Sequence, residues 1–230
     1  MRLQLKNISR KLSVYWEIIW KGFPSMCRQG LASVASVSLN VNAAVYGDAA
    51  VAAMSIVGKI MFFMFSAMLG FGQGYQPVAG FNYGAGNMER VKKAIKFTLT
   101  VGMIGMSTAA VGLFFAAPWL MGLFISDDPS VLEIGTKALR AQAISMPLIP
   151  IGTVSNMTFQ SVGKAWRATI MSAMRQGIFF IPLIYVLPAM FGLGGVVTTQ
   201  AASDVLTALA CTPFLLGFYR NLTKGDKTAK

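Results

Sequence analysis

Long apolar stretches alternate with short polar ones along this chain of 230 residues. A helix needs about 20 residues to cross a hydrocarbon core about 30 Å thick. Six stretches reach that length, at 18–45, 49–80, 94–117, 131–160, 166–188 and 194–219. The pattern predicts an all-α integral membrane protein built as a six-transmembrane-helix bundle. An N-terminal segment (1–17) would precede the bundle (18–219), and a short tail (220–230) would follow it. The second and fourth stretches exceed the need, so they should tilt or protrude.

Charge orients these spans. Arg2, Lys6, Arg10, Lys11 and Lys21 precede or open the first one. Arg90, Lys92, Lys93 and Lys96 lie between the second and third, Lys164 and Arg167 between the fourth and fifth, and Arg220, Lys224, Lys227 and Lys230 in the tail. The alternate loops carry Asp48, then Asp127 and Asp128, then no charge. Lysine and arginine are retained on the cytoplasmic side. Both termini should therefore be cytoplasmic, in a multi-pass protein of the plasma membrane.

Composition agrees. Hydrophobic residues make up 55% and charged ones 12%, about half the charged share of a soluble domain. Mean hydropathy is +0.59. The net charge of +12 sits in loops that would meet anionic headgroups, and no nucleic-acid motif accompanies it. The first residues are basic and amphipathic, unlike a signal peptide. Cys27 and Cys211 lie in apolar runs without a C-x-x-C partner, which suggests neither disulfide nor metal. The chain has no histidine and no paired carboxylates inside a span, so we expect no enzyme, no cofactor and no metal.

Candidate chemistry lies within the spans, where an ionisable group is costly and marks function by default. Asp204 is the one acid deep in a span, with Arg175 and Lys59 at similar depth. Asp204 should face the bundle interior and pair with Arg175 or Lys59, either as a structural ion pair or in handling substrate or cation. Arg28 is placed nearer the cytoplasmic end, within snorkelling reach, and Lys137 and Arg140 in the outer half of the fourth span. Asn156 and Gln160, four apart, share a helix face. Gln73 and Gln76 on the second span, and Gln29, Asn40 and Asn42 on the first, could line a wet cavity or bond across helices. The small pairs Ala32/Ser36, Gly105/Ala109 and Thr108/Gly112 are spaced for close helix packing. Eight prolines in or near the spans kink them, as transporter helices or simply as membrane helices do. The 16 Phe and 15 Met suit promiscuous apolar binding or lipid contact.

The most specific segment is 72–87, with Gly72, Gly74, Pro77, Gly80, Gly84 and Gly86, followed by Glu89, Arg90, Lys92 and Lys93. It resembles the helix-to-loop segment of the multidrug and toxic compound extrusion (MATE) family. Lys21–Ser25, Tyr46–Met54, Gln160–Ala165, Arg175 with Gln176, and Ile181 with Pro182 resemble further parts of that family, in the same order and across nearly the whole chain.

The likeness is to the C-terminal half of a twelve-helix, two-bundle transporter. It implies secondary active efflux of organic, often cationic, drugs by antiport with H⁺ or Na⁺. Its implied partners are the bilayer, small-molecule drugs, and an N-terminal half or a second copy of this chain; nucleic acid is not among them. The implied substrate and ion cavity would draw on Asp204, Arg175, Lys59, Asn156, Gln160, Gln73 and Gln76. The stretch 29–37, where one branch of the family carries a coupling acid, has none, so no coupling acid is assigned. Alternatives are a flippase for lipid-linked oligosaccharides from the same superfamily, or a non-transporting fragment.

Overall fold

Two glycine turns shape one end of the bundle. The computed structural model describes residues 12–125 and 128–227. Helix α2 (Asp48–Gly84) stops where Gly86 turns left-handed at φ 74°, and the Asn87 N–H reaches back to the Asn82 carbonyl at 2.9 Å. The Asn87 side chain then caps α3 (Met88–Gly122) by accepting from the Arg90 N–H. Only glycine adopts such a backbone without cost. Gly163, at φ 75°, repeats the device, with the Lys164 N–H bonded to the Phe159 carbonyl at 2.9 Å. It separates α5 (Ile149–Ser161) from α6 (Ala165–Ala173). The Gly-rich motif therefore ends one rod and starts the next.

Six rods result. The first is α1 (Leu12–Ala44), followed by α2 and α3. The fourth is α4 (Pro129–Ser145), a 3₁₀ turn (Met146–Leu148) and α5. The fifth is α6, a π turn (Met174–Ile178) and α7 (Phe180–Phe191). The sixth is α8 (Leu193–Lys227). Asp128 caps α4, its carboxylate accepting from the Ser130 and Val131 N–H groups, with Pro129 at the first helical position.

The helices differ from the predicted stretches at several points. Helix α1 already includes Leu12, ahead of 18, and α8 reaches Lys227, past 219. The fourth stretch is not one long tilted helix. Pro147 and Pro150 lack N–H groups, so the chain tightens into the 3₁₀ turn between them. The fifth opens instead: the Phe179 N–H reaches back five residues to the Met174 carbonyl. Arg2, Lys6, Arg10, Lys11, Asp127 and Lys230 lie outside the described residues, as do the side chains of Lys21, Lys224 and Lys227.

Packing separates a core from an apolar exterior. Helix α2 lies against α3, α4 and α5, α1 against α6, and α7 against α8. Met54, Ile95, Leu139, Phe159, Phe180 and Ile184 are fully buried between them. Phe62, Phe63, Phe81, Phe97, Phe115 and Ile144 are largely exposed, an exterior suited to lipid rather than water. All four tryptophans, Trp16, Trp20, Trp119 and Trp166, are exposed near helix ends, as in the aromatic belts of membrane proteins. Taken singly, α2, α3, the α6–α7 rod and α8 are long and apolar enough to cross a membrane, with mean hydropathy of 1.5 to 1.8. Polar side chains along α1 and the proline break in α4–α5 lower the signal of the other two.

Close helix approach occurs at glycines other than the expected pairs. Around Gly105 and Gly112 the space is open, and the Thr108 hydroxyl bonds to its own helix at Ile104. The tight points are Gly72 against Met157, Gly135 against Met121, and Gly195 against the Leu187 carbonyl.

Candidate functional site

The π turn of the fifth rod carries Arg175 to the middle of the bundle. Its carbonyl accepts a hydrogen bond from the Ser203 hydroxyl of α8. One turn of α8 away from Ser203, on either side, stand Gln200 and Thr207; beside it stands Asp204. The Arg175 Nε meets Asp204 Oδ1 at 2.6 Å, and Nη2 meets Oδ2 at 3.3 Å. The Asp204 side chain is 1% exposed and that of Arg175 19%. Gln200 Nε2 donates to the same Oδ1 at 2.9 Å. The guanidinium also lies 4.3 Å from the centroid of the Phe65 ring on α2. Asp204 thus has three donors, and Arg175 a carboxylate and an aromatic face. Two-point pairing of this kind is stronger and more directional than a point contact.

Arg175 stands where two cavities adjoin. One, of about 120 Å³, is lined by Arg28, Phe62, Phe65, Asn156, Arg175 and Asp204 among others. The second, of about 530 Å³, is lined by Lys59, Phe62, Phe65, Gln142, Arg175 and Gln200 among others. Arg175, Phe62 and Phe65 belong to both, so they form the waist between the two lobes.

The predicted residues divide. Of the two partners open to Asp204, Arg175 holds it. Lys59 is exposed, lines the larger lobe and pairs with no carboxylate among the described residues. Asn156 lines the smaller lobe, its amide donating to the Ala168 carbonyl and the Ser172 hydroxyl at 2.7 Å each. Gln160 and Gln76 lie off both lobes. The Gln76 amide donates to Gln160 Oε1, and Gln160 Nε2 donates to Ser25 Oγ at 3.0 Å, so together they bridge α1, α2 and α5. Gln73 is exposed and also lies off both lobes. The i, i+4 face shared by Asn156 and Gln160 is thus split between a cavity wall and an interhelical bridge.

Arg28 was not among the expected cavity residues. It lines the smaller lobe. Lys137 and Arg140 are accounted for locally: Lys137 Nζ bonds to Glu133 at 2.6 Å, and Arg140 lies 5.3 Å from the Phe114 ring.

The family model MatE matches residues 24–186, well over half the chain. The chain belongs to the MatE family. It is 29% identical over 208 residues to the multidrug export protein MepA of Staphylococcus saprophyticus, covering 90% of this chain and 46% of that protein. It is 30% identical over 195 residues to MepA of Staphylococcus aureus strain MRSA252, covering 84% and 42%. A crystal structure of MATE in complex with MaL6 superposes on 97% of this chain and 51% of its own, with a TM-score of 0.88 and 21% identity. This MatE chain therefore spans about half the length of the curated relatives it matches. Its fold is a six-helix bundle equivalent to one half of a MATE transporter.

Proposed function

We propose that this chain forms one bundle of a secondary active multidrug exporter of the plasma membrane. Paired with a second bundle, it would expel organic, often cationic, drugs in exchange for H⁺ or Na⁺. The observation that carries this reading is the two-lobed cavity, with the Arg175–Asp204 pair at its waist and Phe62 and Phe65 along its wall. Aromatic walls with a few oriented polar groups suit amphipathic ligands of varied shape. The names of the staphylococcal relatives, multidrug export proteins, support the same function.

Alternating access would be a rocking of this bundle against its partner, biased by whichever ligand binds one state better. The partner is an N-terminal half-transporter, with self-pairing the less economical route. Both termini and the Arg90–Lys96 turn would face the cytoplasm. Drug susceptibility of an efflux-deficient host tests the reading. Cells expressing this chain together with an N-terminal six-helix half should tolerate several unrelated drugs, and Asp204→Asn should lower that tolerance at equal expression. No resistance from the pair, with both halves folded in the membrane, would overturn the export reading.

A further inference from the structure

Five basic residues, Arg28, Lys59, Lys137, Arg140 and Arg175, lie six or more residues inside the ends of the predicted spans, and three of them are matched. Arg175 has Asp204, Lys137 has Glu133, and Arg140 has the Phe114 ring and carbonyl. Arg28 and Lys59 have no carboxylate, hydrogen-bond or aromatic partner among the described residues. Both face the cavity, Arg28 in the smaller lobe and Lys59 in the larger. Arg28 and Arg175 line the same small lobe, so two like charges share its wall. The cavity wall thus carries three cations against one acid, Asp204, whose oxygens are already bound by Arg175 and Gln200. An unmatched cation inside a span is costly, and a bound anion would offset that cost.

We infer that the cavity holds the anionic head of an amphipathic molecule, a carboxylate, sulfonate or phosphate, with Arg28 as its principal donor and Arg175 and Lys59 adding positive field. The apolar body of the ligand would lie along Phe62, Phe65 and Leu69, which line the lobe that Arg28 enters. A guanidinium binds such groups through two parallel N–H bonds, which an ammonium cannot reproduce. Asp204, occupied by Arg175, is not offered to the ligand. The inference deepens the reading of this cavity as a site for organic ligands, but it concerns binding and stands whether or not the ligand is exported.

The test measures binding by the purified full chain in neutral detergent, without transport. The probes are 8-anilinonaphthalene-1-sulfonate and N-phenyl-1-naphthylamine, which share an aromatic body and differ in the sulfonate. The sulfonate should bind about tenfold or more tightly than the neutral amine after subtraction of protein-free micelles. Arg28→Gln should remove that preference while leaving binding of the neutral probe, and Arg28→Lys should keep part of it. Competition by phosphatidylglycerol but not phosphatidylcholine would identify a lipid headgroup as the natural anion; competition by soluble aromatic carboxylates alone would identify a free organic acid. Equal affinity for the two probes, no sulfonate binding, or a preference unchanged in Arg28→Gln would overturn the inference. Because Arg28 has no partner to lose among the described residues, its replacement by Gln should leave the melting temperature unchanged, which separates lost binding from misfolding. Failure here with intact drug efflux would reject the anion site alone.

Discussion

Arg175 and Asp204 close a two-point ion pair between the π turn of the fifth rod and the middle of α8, at 2.6 and 3.3 Å. In a buried pair each charge is tolerable only while the other stays in place. Removing one partner leaves the other uncompensated, at a cost of about 3–5 kcal/mol. Arg175→Leu should therefore melt well below the wild type in detergent. Adding Asp204→Leu to it should recover much of the loss, since a matched apolar pair is often no worse than a buried ion pair. A double variant that melts lower still would show that Asp204 is held by Gln200 and not by the arginine.

This pair was legible in part before the fold was known. Hydropathy and the alternation of basic loops mark six rods, and the single deep acid stands out because lipid penalises it. Helix interruptions were less legible. Pro147 and Pro150 announce a break, but a π turn at Met174–Ile178 depends on how α7 meets α8, which no local pattern encodes. Polarity within a span does not tell a ligand wall from an interhelical bond, as the contacts of Gln160 and Gln76 illustrate.

That distinction separates Gln160 from Asn156. Gln160→Leu removes bonds to Gln76 and Ser25 that join α1, α2 and α5. The cost should be about 1–3 kcal/mol of stability, with the ligand preference of the folded protein unchanged. Asn156→Leu alters the wall of the smaller lobe and breaks its bonds to α6. It should change which probes bind. Thermal melting and probe titration of the two variants side by side measure both effects.

Gly195 marks the tightest contact in the α7–α8 hairpin. A Cβ there would collide with the Leu187 carbonyl oxygen, a backbone atom that cannot swing away. Gly194, next to it, has open space. Gly195→Ala should cost about 1–3 kcal/mol or more through forced separation of the helices, whereas Gly194→Ala should be nearly silent. The recovery of monodisperse protein after detergent extraction reads the contrast. Equal recovery would mean that the hairpin can open to admit a Cβ at Gly195.

The cap of α4 offers a milder perturbation at a helix end. Asp128 accepts from the Ser130 and Val131 N–H groups, at 2.8 and 3.4 Å. Asp128→Ala leaves those donors to water and should cost about 0.5–2 kcal/mol. Asp128→Asn keeps an acceptor oxygen and should retain most of the stability. The ordering wild type, Asn, Ala in melting temperature checks that the loss comes from the cap and not from the charge.

Orientation follows from α3, whose ends differ in charge. Its first turns carry Arg90, Lys93 and Lys96, and beyond its far end Asp128 opens α4. At about 1.5 Å per residue, the 35 residues of α3 exceed the thickness of a hydrocarbon core, so the two ends should lie on opposite faces. If lysine and arginine are retained in the cytoplasm, the Arg90 end should lie inside. Single cysteines at Lys93 and Ser130, in a chain with Cys27 and Cys211 replaced by Ser, should then react differently with a membrane-impermeant maleimide on whole cells. Ser130→Cys should label from outside, and Lys93→Cys only after permeabilisation. Labelling of both from outside would remove α3 as a span, and with it the assignment of the cavity to the interior of a transporter half.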